Sequence, residues 1–573
     1  MMPGRDIQRR ATPADTDALS DVHPVLARVY AARGASSPMD LELPLSALLP
    51  VRSLGGVEAA AALLEAHRES HVLVVGDFDA DGATSTALML RVLRQFGFAS
   101  VDFLVPNRFE FGYGLSAPLA DVALGMAPSL VITVDNGIAS HDGVARLRAA
   151  AIDVLVTDHH LPGETLPDAN VIVNPNNPGE QFRSKALAGV GVAFYVLAAL
   201  ERRLVAAGAP QHRGVTARYL DLVALGTVAD VVPLDRNNRI LVHAGLRRIR
   251  ELKACPGVLA LLADAGRDAR RCVATDLGFG AGPRLNAAGR LEDMSEGILT
   301  LLADDPGAAR RRATALGAIN RDRRDLQQRM QEDAREALPA TDSNRELPDC
   351  VCLFQSDWHQ GVVGLVASFL RERCQRPAFA FAPGDGDELK GSGRSIAAVH
   401  LRDLLAAVDA RHPGLIARFG GHAMAAGLTL ARHRFDDFRA ACNDTLAVLY
   451  PDAQFGEAWL SDGELADTEL TIEMAEELRE AGPFGAGFDE PLFDGLFRVE
   501  NARQVGDTHL KLRLTTATSA SPIDAIAFRQ AEHLPLPLGC WVKVVYRLDV
   551  NEFQGIRRAQ LIVEQLERVA GQT

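Results

Sequence analysis

Three short apolar runs in the first third of the chain each end in residues that hold cations or move protons. Residues 72–75 lead into GDFDADG, with Asp77, Asp79 and Asp81; residues 130–134 lead into Asp135-Asn136-Gly137; residues 154–157 lead into Asp158-His159-His160. The runs are rich in β-branched residues and separated by stretches with helical spacing, the rhythm of parallel strands buried on both faces. In an open parallel sheet, ligands bind beyond the carboxyl ends of the strands, so all three clusters point into one crevice. Five aspartates and two histidines crowded there repel one another unless cations sit between them, and bound divalent metal is the expectation. Residues two apart on an extended segment face the same way, so Asp77, Asp79 and Asp81 converge while His159 and His160 diverge, one towards metal and the other towards substrate. A set that is mostly carboxylate with one imidazole suits Mn²⁺ or Mg²⁺ better than zinc. This many acids points to two ions sharing a bridging carboxylate, an arrangement that activates water and neutralises charge during displacement at phosphorus.

Weaker signals lie farther along. A lone DxD after a strand is often a turn, and DADGAT by itself also resembles the first motif of the haloacid-dehalogenase phosphatases; three acidic strand ends in one domain is the stronger pattern. Asp230, in LVALGTVADVVPL, is an acid among apolar residues, which calls for a partner or a metal, with a helix-ending cap as the plain alternative. LKGSGRS (389–395) and RFGGHAMAAG (418–427) combine small residues with a cation or a histidine. Glycines let backbone N–H groups approach a phosphate, and a helix beginning after Gly420-Gly421-His422 would favour an anion. Each patch alone is more often a turn. Together, facing an acidic crevice, they suggest a phosphate-bearing substrate held between two lobes.

The elements that position these residues follow from length and pattern. At 573 residues the chain allows roughly four domains, and 47% hydrophobic with 23% charged residues is an ordinary globular composition. The apolar stretch 186–200 is too short for a membrane span and reads as a buried helix; the polar N-terminus lacks the apolar core of a secretory signal, and a cytoplasmic location is expected. Seven scattered cysteines without a CxxC pair signal neither disulfides nor a zinc site. Net charge is −14, and only five of the 60 basic residues are lysines; an overall basic nucleic-acid surface is excluded, though local arginine clusters are not. Residues 50–205 read as a doubly wound domain with a further strand at 171–173, followed by helices through 223–261. Residues 306–338 form one long amphipathic spacer helix. A second α/β unit begins at 351–354, and alternation at 509–514, 523–528 and 541–550 suggests a small β-barrel, of which the OB-fold is the commonest at this size.

VVGDFDADGATS, VDNG, TDHH, ALGTVADVVPL, GPRLNAAGR, DWHQGVVGLVAS and RFGGHAMAAG, in this order from about residue 50 to the end, resemble the signatures of the DHH phosphoesterase superfamily, and within it the single-strand-specific 5′ to 3′ DNA exonucleases. The resemblance implies an α/β fold: a parallel-sheet DHH domain with a helical extension (50–305) after an N-terminal extension (1–49), a connecting helix (306–338), a second α/β, DHH-associated domain (339–455) and a C-terminal OB-fold β-barrel (456–573). It places metal ligands at Asp77, Asp79, Asp81, Asp135, His159 and Asp230, with His160 as a substrate-phosphate contact. Arg108 and Tyr113 in PNRFEFGYGL, then Arg284, Arg290, Arg394, Ser395 and His422, fall on positions that contact the strand or its phosphates. It implies two Mn²⁺ or Mg²⁺ ions, release of 5′-mononucleotides from single-stranded DNA in recombination and repair, and as partners the single-stranded-DNA-binding protein and a helicase that supplies the strand, with no membrane. The alternatives are a DHH phosphodiesterase acting on short oligonucleotides or cyclic dinucleotides, and a non-enzymatic repair scaffold.

Overall fold

The computed structural model describes residues 5–11, 17–107, 110–338, 347–451, 455–519 and 521–569. A short strand β1 (Ile7–Arg9) and helices α1 (Pro24–Ala31) and α2 (Val57–Ala66) precede the first sheet. The β-branched runs then alternate with helices: β2 (His71–Val75), α3 (Ala80–Gln95), β3 (Ser100–Leu104), α4 (Ala117–Gly125), β4 (Leu130–Val134), α5 (His141–Ala149), β5 (Asp153–Thr157), β6 (Val171–Val173) and α6 (Gly189–Ala206). The five strands are all parallel, in the order β3-β2-β4-β5-β6. Val72 and Val74 join the core with α2, α3 and α6, while Leu73 and Val75 join that of α4 and α5. Helices cover both faces, which is why the strands are apolar throughout rather than alternating. The 186–200 stretch lies in the buried α6, and no single helix among the described residues is long and apolar enough to cross a membrane.

The helical extension comprises α7 (Leu220–Ala229), α8 (Arg236–Arg250), α9 (Pro256–Asp264), α10 (Ala274–Asp276), α11 (Gly282–Leu291) and α12 (Ser295–Leu302). From it runs α13 (Pro306–Ala337), started by Pro306 and by Asp305, whose side chain caps Ala308 N–H at 2.6 Å. Its first half buries Ala309, Ala313 and Leu316, and its second half sends Met330 and Ala334 into the core of the next domain. The helix is a spacer anchored in two different cores.

The second domain runs β7 (Val351–Phe354), α14 (Val363–Cys374), β8 (Ala378–Pro383), β9 (Glu388–Arg394), α15 (Leu401–Arg411), β10 (Arg418–Gly421), β11 (Ala425–Ala431) and α16 (Phe435–Leu449), with sheet order β10-β11-β9-β8-β7. Two expectations are corrected here. LKGSGRS is the strand β9, and RFGGHAMAAG is the β10-β11 hairpin, with no helix after Gly421-His422. The glycines serve packing: Gly391 pairs with Phe381 and Gly393 with Phe379 across β8, and a Cβ at either would meet those rings.

After β12 (Trp459–Ser461) and α17 (Ile472–Glu480), strands β13 (Phe493–Val505), β14 (His509–Thr515), β15 (Ile523–Ala527), β16 (Trp541–Phe553) and β17 (Ile556–Arg568) close a barrel in the order β13-β14-β15-β17-β16. The N-terminal segment straps this barrel to the first domain. β1 pairs in parallel with β12, Arg9 chelates Asp494 at 3.0 and 2.8 Å, and the buried Arg33 chelates the buried Asp462 at 2.7 and 2.9 Å. Removing one member of such a pair strands a buried charge. Arg33→Ala is therefore expected to lower the unfolding free energy by about 3–5 kcal/mol, and the joint change Arg33→Met with Asp462→Leu to recover most of it, read by denaturant titration of tryptophan fluorescence.

Candidate active site

The acid-bearing loops converge, though not as an extended strand would bring them. The chain turns helical directly after Asp79, whose carboxylate is the N-cap of α3 and accepts Asp81 N–H at 2.9 Å and Gly82 N–H at 3.0 Å. Asp81 thus sits in the first helical turn and reaches across to the start of α6, accepting Gly189 N–H at 2.7 Å and Val190 N–H at 2.9 Å. Convergence here comes from two helix N-termini, each an attractive place for a carboxylate, rather than from alternation. Asn286, within GPRLNAAGR, accepts Ala80 N–H at 2.8 Å and pins the same turn from α11. Its contribution is tertiary and left no local sequence signal.

Asp135 follows β4 with φ +61°, the left-handed region that costs a non-glycine residue energy. A Cβ at Gly189 would lie 2.7 Å from Asp135 Cβ, so glycine there lets α6 come close to both Asp81 and Asp135. Gly189→Ala is expected to weaken Mn²⁺ binding about 10–100-fold, checked by calorimetric titration. Asp230 ends α7, and its carboxylate lies 3.5 Å from His159 Nε2, which is 3.1 Å from Asp135 Oδ1. Potential ligand atoms fall into three close groups: Asp77, Asp79 and Asp135; Asp81, His159 and Asp230; and Asp135, His159 and His160.

The electrostatics demand a cation. Burial first, and then the charges of Asp79 and Asp230, joined at Asp135 by that of Asp81, drive Asp81 and Asp135 well above the usual carboxylate range. Burial and the charge of Asp79 push Asp230 up to about 7, and burial with the neighbouring His160 charge holds His159 down to about 3. Asp135 Oδ1 and His159 Nε2 are buried and, though 3.1 Å apart, are not aligned as a hydrogen bond and have no other hydrogen-bond partner. Uncompensated carboxylates beside a neutral imidazole fit a hard divalent ion such as Mn²⁺ or Mg²⁺, and Asp135 is common to two of the groups.

The two histidines do face different partners. Asp158 is buried and fully engaged, accepting His159 N–H, His160 N–H and His160 Nδ1 on one oxygen, at 2.7, 3.1 and 2.8 Å, and Ile138 N–H at 2.9 Å on the other. Burial opposes charge on His160, but the hydrogen bond and charge of Asp158 outweigh it and raise the imidazole to about 9. Tyr113 OH lies 3.1 Å from the His160 ring and 3.3 Å from Asp135 O, while the residue as a whole is half exposed.

The second domain forms the opposite wall. His422, in the turn of the β10-β11 hairpin, faces His160 with ring centroids 6.2 Å apart. Arg290 Nη1 donates to Gly361 O at 3.3 Å, ahead of α14. Arg394 donates to Ser392 Oγ at 3.1 Å, and both side chains lie beside Gly364 in the first turn of α14. Two expected contacts are placed otherwise. Ser395 turns its buried hydroxyl to Val399 O at 2.6 Å; Ser392, two residues before Arg394 on the strand, shares the arginine's face, as alternation along 389–395 would have indicated. Arg284 is buried and committed to Asp264 and Gly280 O, a structural cation rather than a strand contact. Arg108 lies outside the described residues.

Comparison with known proteins agrees in order and extent. The family model "DHH family, N-terminal domain" matches residues 71–227, the DHHA1 domain 348–448 and the RecJ OB domain 461–565. The single-stranded-DNA-specific exonuclease RecJ of Escherichia coli is 48% identical over 98% of this chain and 98% of its own, and that of Salmonella typhimurium 46% identical over 99% of this chain and all of its own. The crystal structure of RecJ in complex with Mn²⁺ from Thermus thermophilus superimposes with a TM-score of 0.79 at 31% identity, over 99% of this chain and 80% of that one. Its Mg²⁺ complex gives 0.75 at 29% identity over 99% and 78%.

Proposed function

The chain belongs to the RecJ family of single-stranded-DNA-specific exonucleases, and from that premise we propose that it removes 5′-mononucleotides from the 5′ end of single-stranded DNA. The carrying observation is the buried, unbalanced acid cluster around Asp135 Oδ1 and His159 Nε2. Asp77, Asp79, Asp81, Asp135, His159 and Asp230 would hold two Mn²⁺ or Mg²⁺ ions, which supply, when bound, Lewis acidity at phosphorus and a more acidic attacking water.

The remaining work falls to the chain's own groups. Asp158 fixes both histidines by its four hydrogen bonds, so His159 keeps its Nε2 towards the acids while His160, held charged, offers a proton to a phosphate oxygen. Tyr113 presents a ring face for a terminal base. From the opposite wall Arg394, Ser392 and His422, together with Arg290 of α11 at the seam between the walls, receive the 5′ phosphate. The His160 and His422 rings, with centroids 6.2 Å apart, bring the two walls close enough to reach one phosphate group together, and a site this narrow requires a duplex to be unpaired before it enters. The domain divisions expected from the sequence support this two-walled arrangement, with the barrel as a further strand-binding surface.

In the cell this activity serves recombination and repair in the cytoplasm, with a helicase and the single-stranded-DNA-binding protein delivering the strand. The test is incubation with Mn²⁺ and a long single strand labelled at its 5′ end, beside the blunt duplex and the same strand without a 5′ phosphate. Immediate release of labelled mononucleotide from the single strand, with the duplex spared, is expected. Retention of label while the strand shortens overturns the polarity, and absence of cleavage overturns the activity.

A further inference from the structure

Helix α11 touches both walls of the crevice within two turns. Asn286 accepts Ala80 N–H at 2.8 Å. One turn on, a Cβ at Gly289 would lie 1.8 Å from Phe78 O, so the backbone of α11 rests directly on the residue between Asp77 and Asp79. Arg290 comes next and donates to Gly361 O at 3.3 Å, while a Cβ at Gly361 would lie 2.1 Å from Arg290 O. Asn286, Gly289 and Arg290 are spaced by three and four residues and so share one face of the helix. Leu285 and Ala288 pack in the core of the first domain, and Leu291 packs against that of the second, with Trp358 and Val362.

The loop that meets α11 is itself held from behind. Trp358 is buried and its Nε1 donates to Asp333 of α13 at 3.2 Å. His359 Nδ1 accepts Gly361 N–H at 3.1 Å, and His359 O accepts Val362 N–H at 2.9 Å. α14 starts two residues after Gly361, and a Cβ at its Gly364 would lie 3.1 Å from Arg394 Nη2 and 3.2 Å from Ser392 Oγ. Neither Gly289 nor Gly361 has a positive φ, so glycine serves close approach at both positions rather than a turn. The acid-bearing loop and the groups assigned to the 5′ phosphate are thereby joined through two backbone contacts too tight for any side chain.

We propose that α11 is a strut that fixes the distance between the acid-bearing loop and the terminal phosphate of the strand, with Gly289 and Gly361 as positioning residues. Arg290 grips that phosphate from the strut itself, Arg394 and Ser392 grip it from α14, and the strut makes the grip place the first phosphodiester over the acid cluster. The inference rests on the reading of these three side chains as the 5′-phosphate site and deepens it: phosphorylated ends are preferred because recognition and chemistry share one rigid link. Misplacing a reacting group by about 1 Å costs on the order of 100-fold in rate, and the overlap that a methyl at Gly361 creates has to be relieved by a movement of that size.

The test uses the full chain with Mn²⁺ and one single-strand sequence in two forms, ending in a 5′ phosphate or a 5′ hydroxyl. Wild type is expected to prefer the phosphorylated form in kcat/KM. In Gly361→Ala the added methyl drives α14 away from α11, and that preference is expected to fall about tenfold or more, the worth of one charge-assisted hydrogen bond. Cleavage of the hydroxyl form, and Mn²⁺ affinity by calorimetry, stay as in wild type. Leu291→Ala loosens the same seam without overlap and lowers the preference in the same direction, so it decides the matter if melting shows that Gly361→Ala is unfolded. Gly289→Ala presses on Phe78 O instead, and is expected to weaken Mn²⁺ binding about 10-fold or more and to slow both forms equally. An unchanged preference in the folded seam variants overturns the strut, and so does an equal loss on both forms in them, which is the mark of structural damage alone. A wild type indifferent to the 5′ group overturns the phosphate site and this inference with it, leaving the exonuclease reading in place. A wild type that cleaves neither form overturns that reading as well.

Discussion

Asp135→Asn is expected to reduce cleavage of single-stranded DNA by at least about 10³-fold while making the metal-free protein more stable. Both effects follow from one geometry. Asp135 offers a buried, unpartnered oxygen to the two groups of potential ligands that it shares, so its loss removes charge from where cations must sit. The amide keeps the shape, and asparagine tolerates the left-handed backbone at this position better than most residues. Without metal, however, the aspartate is a liability, its charge opposed by burial and by Asp81, Asp79 and Asp230. Melting in EDTA and again in Mn²⁺ reads both halves: the variant melts higher than wild type in EDTA and lacks the Mn²⁺-induced rise. A variant that cleaves normally, or still gains stability from Mn²⁺, overturns the role given to Asp135.

The same frustration makes the metal-free protein sensitive to pH in a defined direction. Asp230 stands at about 7 in the folded chain, raised by burial and Asp79, against about 3.9 for an unfolded aspartate. A carboxylate raised on folding binds a proton more tightly in the native state, so its contribution is fully present below the unfolded value and is lost as pH rises through about 7. In EDTA the melting temperature is therefore expected to fall between about pH 4 and about pH 7 and to level off above that, and Asp230→Asn to flatten that part of the curve.

Asp158→Asn is expected to cost about 100-fold in activity although Asp158 itself is engaged elsewhere. Its two oxygens satisfy four N–H groups. An amide leaves one of its two positions as a donor: turned to Ile138 N–H it faces another donor, and turned the other way it abandons the histidine loop. His160 also loses the carboxylate that sustains its charge, and His159 the backbone hydrogen bond that aims it at Asp135 and Asp230. Weaker Mn²⁺ binding together with a lower kcat distinguishes this from a simple loss of stability, which melting reports separately. Wild-type metal affinity and kcat in a folded variant would falsify the positioning role.

The sheet, the long helix and the barrel were legible in the sequence because they depend on local period: two for strands, 3.6 for helices, and uninterrupted apolar runs where both faces are covered. The crevice followed from the same reading, since strand ends in a parallel sheet share one edge, and three of them carry acids or histidines. Spacing alone was less informative about how those acids meet. The turn after Asp79 and the reach of Asp81 to Gly189 join residues 108 apart, and the pin from Asn286 to Ala80 spans 206; no local pattern records such contacts. Glycines in β9 looked like a phosphate cradle until the register placed them opposite Phe379 and Phe381. Arg284 and Ser395 share residue types with Arg290 and Ser392, yet Asp264 and Val399 O claim them.

Sequence by itself determined which residue types stand at which strand ends and on which face of each element, because those are short-range properties of a chain with fixed geometry. Only the tertiary structure decided which cations border the crevice and which are buried on partners within the fold. A buried charge takes whatever partner the packing brings within hydrogen-bonding distance, and that partner can lie anywhere along the chain.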